Sequence, residues 1–475
     1  MGKNKILYHR ILCPLMVSVV ILIFGTTLSQ AKTVNEKILD ILLESKIVTQ
    51  EKYQELKKQV EAEEAEVAKM KAAAEQKAPE GPKVDFNRGL TIRTADGENQ
   101  IRLSGRFQGD SKFYLNDNPN NDSFYIRRAR LAAMGTFYKY YEFFVETEFG
   151  QGAARLNDGY FNVNYVPYAQ FMFGQFKVPF LQDELRSDNW TDFMERSLTD
   201  NFAPSRDLGF MFHGNISNDL LYYQLGLFNG RQINASSDVD DYKDVAGRIT
   251  VAPFSKMDNL FLKDFHIGGA FTYGVEHTTK PSTDWWKNAF KTAGGSGTTF
   301  FQFQDTITED GNRSRWGAEL AWMVGPLSLK SEYAVLQMEG LNNGKTTANL
   351  GGNSGYVTLG WFLTGEQEPW KNGLPQGVTP KNPFVFGQGG TGAIQLVGRY
   401  EWLEMDKGLL TQGFADATQY TNKAYGYTFG LNWFPNDVLK LMLNYYHTSF
   451  DQSILVSGRR LNSEDALMAR FQIVW

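Results

Sequence analysis

From Phe86 to the C terminus, apolar and polar residues alternate with a period of two. Ile101, Leu103, Gly105 and Phe107 interleave with Arg102, Ser104, Arg106 and Gln108, and Tyr425, Tyr427, Phe429, Leu431 and Trp433 interleave with Gly426, Thr428, Gly430 and Asn432. Each stretch predicts a strand with one apolar face and one small or polar face. The same reading holds for Phe143–Phe149, Phe161–Tyr165, Ile249–Val251, Trp316–Trp322, Leu327–Val335, Val357–Leu363, Ile394–Trp402 and Leu467–Trp475. In all, the pattern predicts about sixteen strands of about ten residues, the length a tilted strand needs to cross a bilayer. Brief turn signals at Tyr138-Lys139-Tyr140, Val166-Pro167-Tyr168, Ser217-Asn218-Asp219, Gly325-Pro326 and Pro435-Asn436-Asp437 alternate with longer ones, notably Pro179–Asp207, Glu276–Arg313 and Asp451–Glu464.

Two architectures use such a pattern. A soluble all-β protein buries its apolar faces in a core, and its turn lengths need not alternate. A transmembrane barrel turns those faces to lipid, encloses the polar ones, and sets short periplasmic turns against long outer loops. The alternating turn lengths and the even strand count favour a sixteen-stranded antiparallel transmembrane β-barrel, whose closure pairs every backbone N–H and C=O where no water is present. Tyr165, Tyr168, Trp316, Trp322, Trp402 and Trp433, near strand ends, are expected at the headgroup level. Glu366–Gly392, rich in Gly and Pro, falls on the periplasmic side by this parity, where a short turn is expected. It either folds into the lumen or conceals a strand pair.

The first 85 residues follow other rules. Lys3, Lys5 and Arg10 precede the apolar run Ile11–Phe24, and Ser29-Gln30-Ala31 offers small residues, so residues 1–31 predict a signal peptide, with a single-span anchor as the alternative. Cys13, the only cysteine, lies inside it, and the exported chain is expected to lack thiol, disulfide and thiolate–metal chemistry. Val34–Lys77 has neither Pro nor Gly and is built mainly of Glu, Lys, Ala, Leu and Val. Tyr53, Leu56, Val60, Val67, Met70 and Ala74, spaced by three and four, predict a periplasmic helical coiled coil over 32–77; a lone solvated helix is the alternative. Ala78-Pro79-Glu80-Gly81-Pro82 predicts a linker over 78–85, which leaves 86–475 for the barrel.

Composition sharpens this picture. The 35 Phe, 22 Tyr and 10 Trp stand beside a mean hydropathy of -0.37, so a helical membrane bundle is excluded while a chain half facing lipid and half facing water is not. The net charge of -5 hides a more acidic barrel. Without Lys3, Lys5 and Arg10 it is -8, and the segment after Lys83 carries 35 basic and 42 acidic residues, a net of -7. Such a chain does not point to nucleic acid, and it does not by itself advertise a preference for anions.

Several stretches resemble the phosphate-selective porin O and P family of outer-membrane channels. They are Tyr125-Ile126-Arg127-Arg128-Ala129-Arg130-Leu131, Phe173-Gly174-Gln175-Phe176-Lys177-Val178-Pro179-Phe180, Phe193-Met194-Glu195-Arg196-Ser197 and Pro204-Ser205-Arg206-Asp207-Leu208-Gly209. Gly325-Pro326-Leu327-Ser328-Leu329, Trp361-Phe362-Leu363-Thr364-Gly365-Glu366 and the terminal Arg470-Phe471-Gln472-Ile473-Val474-Trp475 complete the set, which spans nearly the whole chain after the linker. The resemblance implies an outer-membrane porin: a sixteen-stranded barrel, usually trimeric, that passes anions such as phosphate or polyphosphate through a pore narrowed by inward-folded loops.

Alternation assigns Arg102, Arg106, Arg128, Arg130, Arg248, Lys330, Arg399 and Arg470 to the lumen, and the long third outer loop carries Arg186, Arg196 and Arg206, with Lys177 at its entrance. Guanidinium forks suit the paired oxygens of a phosphate-class anion. From this set, Arg106, Arg128, Arg130, Lys177, Arg186, Arg196, Arg206, Arg248, Lys330 and Arg399 are the candidate pore-lining, anion-binding residues. The alternative is that each pairs with a lumenal carboxylate, since Glu142, Glu146, Glu148, Glu319, Glu332 and Glu401 fall on the same face.

Other chemistry finds little footing. His213, His266, His277 and His447 lie far apart in sequence without a His-Glu-x-x-His motif, no Gly-x-Ser-x-Gly elbow is present, and no Ser/His or Asp/His pair is marked by spacing, so no metal, cofactor or enzyme activity is expected. Gly340–Thr346 is one residue short of a phosphate-binding loop and reads as a hairpin. Asp238-Val239-Asp240-Asp241 suits divalent ions near lipopolysaccharide. Two rival functions stay open: a channel for sugars or organic acids, with Phe144 and Phe362 stacking on solute, and a structural barrel tethered through its coiled coil.

Overall fold

The computed structural model describes residues 34–45, 48–75, 81–230, 234, 241–278 and 287–475. The predicted signal peptide lies outside them. The chain divides into two compact units, 1–80 and 81–475.

The first unit holds two helices, α1 (Val34–Glu44) and α2 (Gln50–Glu75), instead of one continuous helix. The second starts where the Thr49 hydroxyl accepts the Lys52 N–H at 3.4 Å, an N-cap for α2. Tyr53 on α2 donates to Asp40 on α1 at 2.6 Å, so the pair forms a helical hairpin. No described helix is long and apolar enough to cross a membrane.

The second unit crosses with strands. Its wall comprises β1 (Gln100–Tyr114), β2 (Ser123–Phe137), β3 (Tyr141–Glu148), β4 (Arg155–Val166), β5 (Ala169–Lys177), β6 (Arg206–Ile216), β7 (Leu221–Phe228) and β8 (Asp244–Val251). The circuit continues through β9 (Phe265–Thr278), β10 (Thr308–Val324), β11 (Leu327–Asn342), β12 (Thr347–Phe362), β13 (Ala393–Met405), β14 (Lys423–Phe434), β15 (Leu439–Val456) and β16 (Arg459–Val474). Each pairs antiparallel with its sequence neighbour, and β16 closes the circle on β1 in a register running from Ala466 opposite Tyr114 to Val474 opposite Arg106. Trp475 completes the seam by exchanging backbone hydrogen bonds with Gly105. A Cβ on Gly105 would lie 2.4 Å from the Trp475 indole, so glycine is what admits the terminal aromatic there.

The residues predicted as linker do not all serve as one. Lys83–Phe86 pairs with Leu90–Arg93, which in turn pairs with the start of β1, because Val84 and Ile92 lie opposite each other as a cross-strand apolar pair. The predicted long turn at Asp451–Glu464 is also absent. β15 and β16 run through it as a tall hairpin closed by Ser457 and Gly458, whose positive φ values of 47° and 81° suit a tight turn.

Burial is inverted relative to a soluble protein. Along β14, Tyr425, Tyr427, Phe429 and Leu431 are exposed, while Thr428 and Asn432 are buried. The exposed apolar face is the lipid face, and the buried polar face is the lumen. The main apolar cluster instead fills the outer half of the lumen. There Phe180, Leu198 and Phe202 of the third outer loop pack with Phe290, Phe300, Phe301 and Phe303 of the fifth and Leu409 and Phe414 of the seventh.

Glu366–Gly392 conceals no strand pair in the wall. The connection from β12 to β13 forms a strap across the lumen, with Trp370-Lys371 and Leu374-Pro375 making a tiny hairpin of their own. Trp370 stacks on His266 of β9 at 3.9 Å between ring centroids, Asn372 bonds Asn215 and Asp219 at the β6–β7 turn, and the Gly373 carbonyl accepts from Arg248 of β8 at 2.7 Å.

Candidate pore constriction

The third outer loop, residues 178–205, leaves β5 and crosses the lumen before returning to β6. Its Asp188 lies among arginines: Arg196 Nη2 at 2.7 Å, Arg130 Nη1 at 3.1 Å, Arg128 Nε at 3.2 Å and Arg106 Nη1 at 3.9 Å. Burial pushes the Asp188 carboxyl up, yet the guanidiniums of Arg128, Arg196 and Arg130 more than reverse this and hold it well below the usual range. Glu195 is held at about 2 in the same way, with burial opposed by Arg127, Arg470 and Arg128. This side of the loop therefore sits in positive potential.

Local backbone geometry gathers the arginines. The register of β1 against β2 slips between Gln108 and Gly109, a bulge that breaks the alternation. Arg127, expected outward by parity, thus binds Glu195 at 2.7 Å beside the buried Arg128 and Arg130. Arg470 of β16 pairs with Asp110 at 2.7 Å and lies 3.6 Å from Glu195. Lys440, unmarked by the family-like motifs, donates to the Thr191 carbonyl at 2.7 Å. Its place between Leu439 and Leu441 is the alternation signal that could have found it. Nothing local in the sequence announces the bulge that recruits Arg127.

The other nominated residues fall into separate groups. Lys330 binds Asp192 at 2.7 Å and Glu368 of the strap at 2.5 Å, and Arg186 binds the same two carboxylates, reaching Asp192 at 3.0 Å. Lys177 donates to the carbonyls of Glu184 and Arg186 and fixes the loop's entrance. Arg206 pairs with Asp158 at 2.9 Å at the loop's exit, and Arg248 with Glu319 at 2.6 Å near the strap. Arg399 pairs with Glu401 at 3.1 Å and lies 4.7 Å from the Phe193 ring centroid. Arg106 and Arg130 share Glu146, at 2.6 and 2.9 Å. The pairing alternative is thus realised at most of these positions, with the acids coming from the loop and strap as well as from the wall.

Farther round the wall, glutamates hold the loop backbone. Glu332 of β11 accepts the backbone N–H groups of Gln182 and Asp183 at 2.5 and 3.1 Å, and Glu401 of β13 accepts that of Leu198 at 2.8 Å. Phe144 stacks against Tyr160, and Phe362 is buried against Phe434 and Val378, so Phe362 offers no face to a solute. Among the described residues no His/Cys/Asp/Glu group has the geometry of a metal site, and Asp238–Asp240 lie outside them.

A closed barrel with a lipid-facing apolar exterior and a charged lumen narrowed by an inward loop is a channel-forming outer-membrane barrel. The chain belongs to the phosphate-selective porin O and P family, whose sequence profile matches residues 101–475. It is 24% identical to Porin O of Pseudomonas aeruginosa over 426 residues, 82% of this chain and 91% of that protein. It is 26% identical to an uncharacterized protein of Caulobacter vibrioides over 334 residues, 67% of this chain and 62% of that one. Among solved structures, the fold is similar to the anion-selective porin from Comamonas acidovorans, with a TM-score of 0.50 and 12% identity over 80% of this chain and all of that one. OmpT of Vibrio cholerae is similar at a TM-score of 0.50 and 10% identity, covering 80% and 98%. The protein is an outer-membrane porin.

Proposed function

We propose that this porin is an anion-preferring diffusion channel for small oxyanions of the phosphate class. The observation that supports the reading above others is the Asp188 cradle: three guanidiniums within 3.2 Å and a fourth at 3.9 Å around one carboxylate. A site that holds a buried carboxylate so firmly ionised is complementary to an oxyanion, and guanidinium forks match such oxygens in pairs. The names of Porin O's family and of the Comamonas porin agree with this direction. Net acidity of the barrel does not oppose it, because selectivity is set where the pore is narrowest and water screens least. As the family resemblance implies, the assembly is a homotrimer, with the helical extension in the periplasm.

The test is a reversal potential. Purified full-length porin in a planar bilayer under a KCl gradient should reverse on the anion side, and a value near the cation limit would sink the reading. A tethering barrel with a plugged lumen is the second reading, favoured by the loop and strap that both cross the lumen. Absence of any conductance would establish that alternative.

A further inference from the structure

The sequence marks no nucleophile–base pair by spacing, yet the barrel wall assembles one. His447 and Ser449, two residues apart on β15, share its outward face, and Asp465 of β16 stands directly opposite His447 in the register. His447 Nδ1 lies 2.8 Å from Asp465 Oδ1, and His447 Nε2 lies 2.9 Å from Ser449 Oγ. The carboxylate is itself held: Asp465 accepts from the Tyr445 hydroxyl at 2.5 Å and from Asn116 Nδ2 at 2.9 Å and is buried, while the imidazole stacks on Tyr427 with ring centroids 4.7 Å apart. A hydroxyl within reach of a base that a third, fixed group orients is the arrangement of an activated serine.

Its height on the wall selects the substrate. Ser449 is ten residues above Leu439, the periplasmic end of β15. At a rise of about 3.3 Å per residue and a tilt near 40°, that is about 25 Å, the height of a barrel's apolar band. Tyr425, opposite Ser449 on β14, and Tyr427 mark the same level as the outer aromatic girdle. Exposed Phe429, Leu443 and Leu467 lie closer to the periplasmic end on the same face and offer an apolar track for an acyl chain. At this depth the ester linkage of a membrane amphiphile lies between its chains and its headgroup. The β15–β16 pairing slips between Ser449 and Ile454, so a bulge re-aims the strand beside the hydroxyl.

We propose that Ser449, His447 and Asp465 form a lipid-facing acyl-ester hydrolase site, separate from the pore, for ester-linked acyl chains of the outer leaflet. Ser449 Oγ attacks the ester carbonyl while His447 Nε2 takes its proton. The imidazolium then protonates the departing alkoxide as the C–O bond breaks, leaving an acyl-serine and the free alcohol. Water, deprotonated by the same nitrogen, cleaves the acyl-serine to a fatty acid and restores the hydroxyl. Asp465 is the positioning residue that holds the imidazole.

The experiment treats purified, reconstituted full-length porin with a fluorophosphonate probe and measures fatty-acid release from phosphatidylethanolamine vesicles and from a soluble p-nitrophenyl ester. The porin should be labelled at Ser449, and Ser449→Ala should abolish labelling and lower ester cleavage about a hundredfold or more while single-channel conductance stays unchanged. Asp465→Asn should reduce the rate while Ser449 remains labelled, more slowly. Because replacing His447 removes its ring contact with Tyr427, Ser449→Cys serves as the second probe: its thiol should react with iodoacetamide faster with His447 present than in the His447→Ala background. Labelling and ester cleavage no greater in the wild type than in Ser449→Ala would overturn the proposal.

Discussion

The third outer loop is held by two stretches of wall in two chemistries. Toward β1, β2 and β16 it presents carboxylates, Asp188 and Glu195, and the wall answers with Arg106, Arg127, Arg128, Arg130 and Arg470. Toward β11 and β13 it presents backbone N–H groups at Gln182, Asp183 and Leu198, which Glu332 and Glu401 accept, beside one ion pair of Asp192 with Lys330. A backbone donor carries no formal charge, so the acidic wall spends its carboxylates on fixing the loop. On the basic wall the guanidiniums outnumber the loop acids they surround, and Glu146, Glu148 and Asp110 of the wall itself share them. Under the proposed function, selectivity rests with the arginine side, while the glutamates of β11 and β13 anchor the loop.

Exchanging the basic wall should have the largest effect. Neutralising Arg128, Arg130 and Arg206 together strands Asp158 as a buried charge and strips Asp188 of two of its four guanidiniums, and breaking a buried pair such as Arg206–Asp158 destabilises by ~3–5 kcal/mol. Reversal potentials should move toward the cation side and the unfolding midpoint in urea should fall; unchanged selectivity would reduce these arginines to salt-bridge partners. Next, Asp188→Asn should leave four guanidiniums around a neutral amide. Anion over cation permeability should then rise by about tenfold, the consequence of removing one charge at close range in a weakly screened site.

The strap gives a smaller shift. Glu368, buried between Arg186 and Lys330, is a carboxylate placed on two cations by a periplasmic connection. Glu368→Gln should raise the permeability ratio about fivefold in the same bilayer measurement. On the acidic wall, Glu401→Gln should alter selectivity little and instead expose the loop to added protease.

The smallest effect is a pH step. Burial and the neighbouring Glu184 push Asp200, on the same loop, up to about 7 from an ordinary 3.8. A carboxyl raised on folding contributes stability that is present in acid and lost as pH rises through about 7. Between pH 8 and pH 6 its protonation removes a negative charge beside Arg196, 3.8 Å away, so anion preference should grow modestly on acidification. Asp200→Asn should show no such step.

Much of this was legible from residues alone, for a definite reason. Alternation along β14 places Thr428 and Asn432 inside and Phe429 outside without knowledge of any neighbour, since period two is a property of one strand. The same logic put Arg106, Arg128, Arg130, Arg248, Lys330 and Arg399 in the lumen. It failed at Arg127, where the bulge belongs to the pairing of two strands. It also failed at Asp451–Glu464, whose polar residues read as a loop although the backbone continues through a two-residue turn. That misreading hid the β15–β16 register, and with it the meeting of His447 and Asp465.

What the sequence determined by itself is the wall: its strand count, its inward and outward faces and the family to which it belongs. These follow from local periodicity and from side chains that choose lipid or water one residue at a time. What only the tertiary structure decided is what fills the wall and what meets across it. The cradle around Asp188, the strap that carries Glu368 to Lys330 and the contact of His447 with Asp465 join residues from 8 to 82 positions apart. Such contacts depend on register and loop closure, which no single segment encodes.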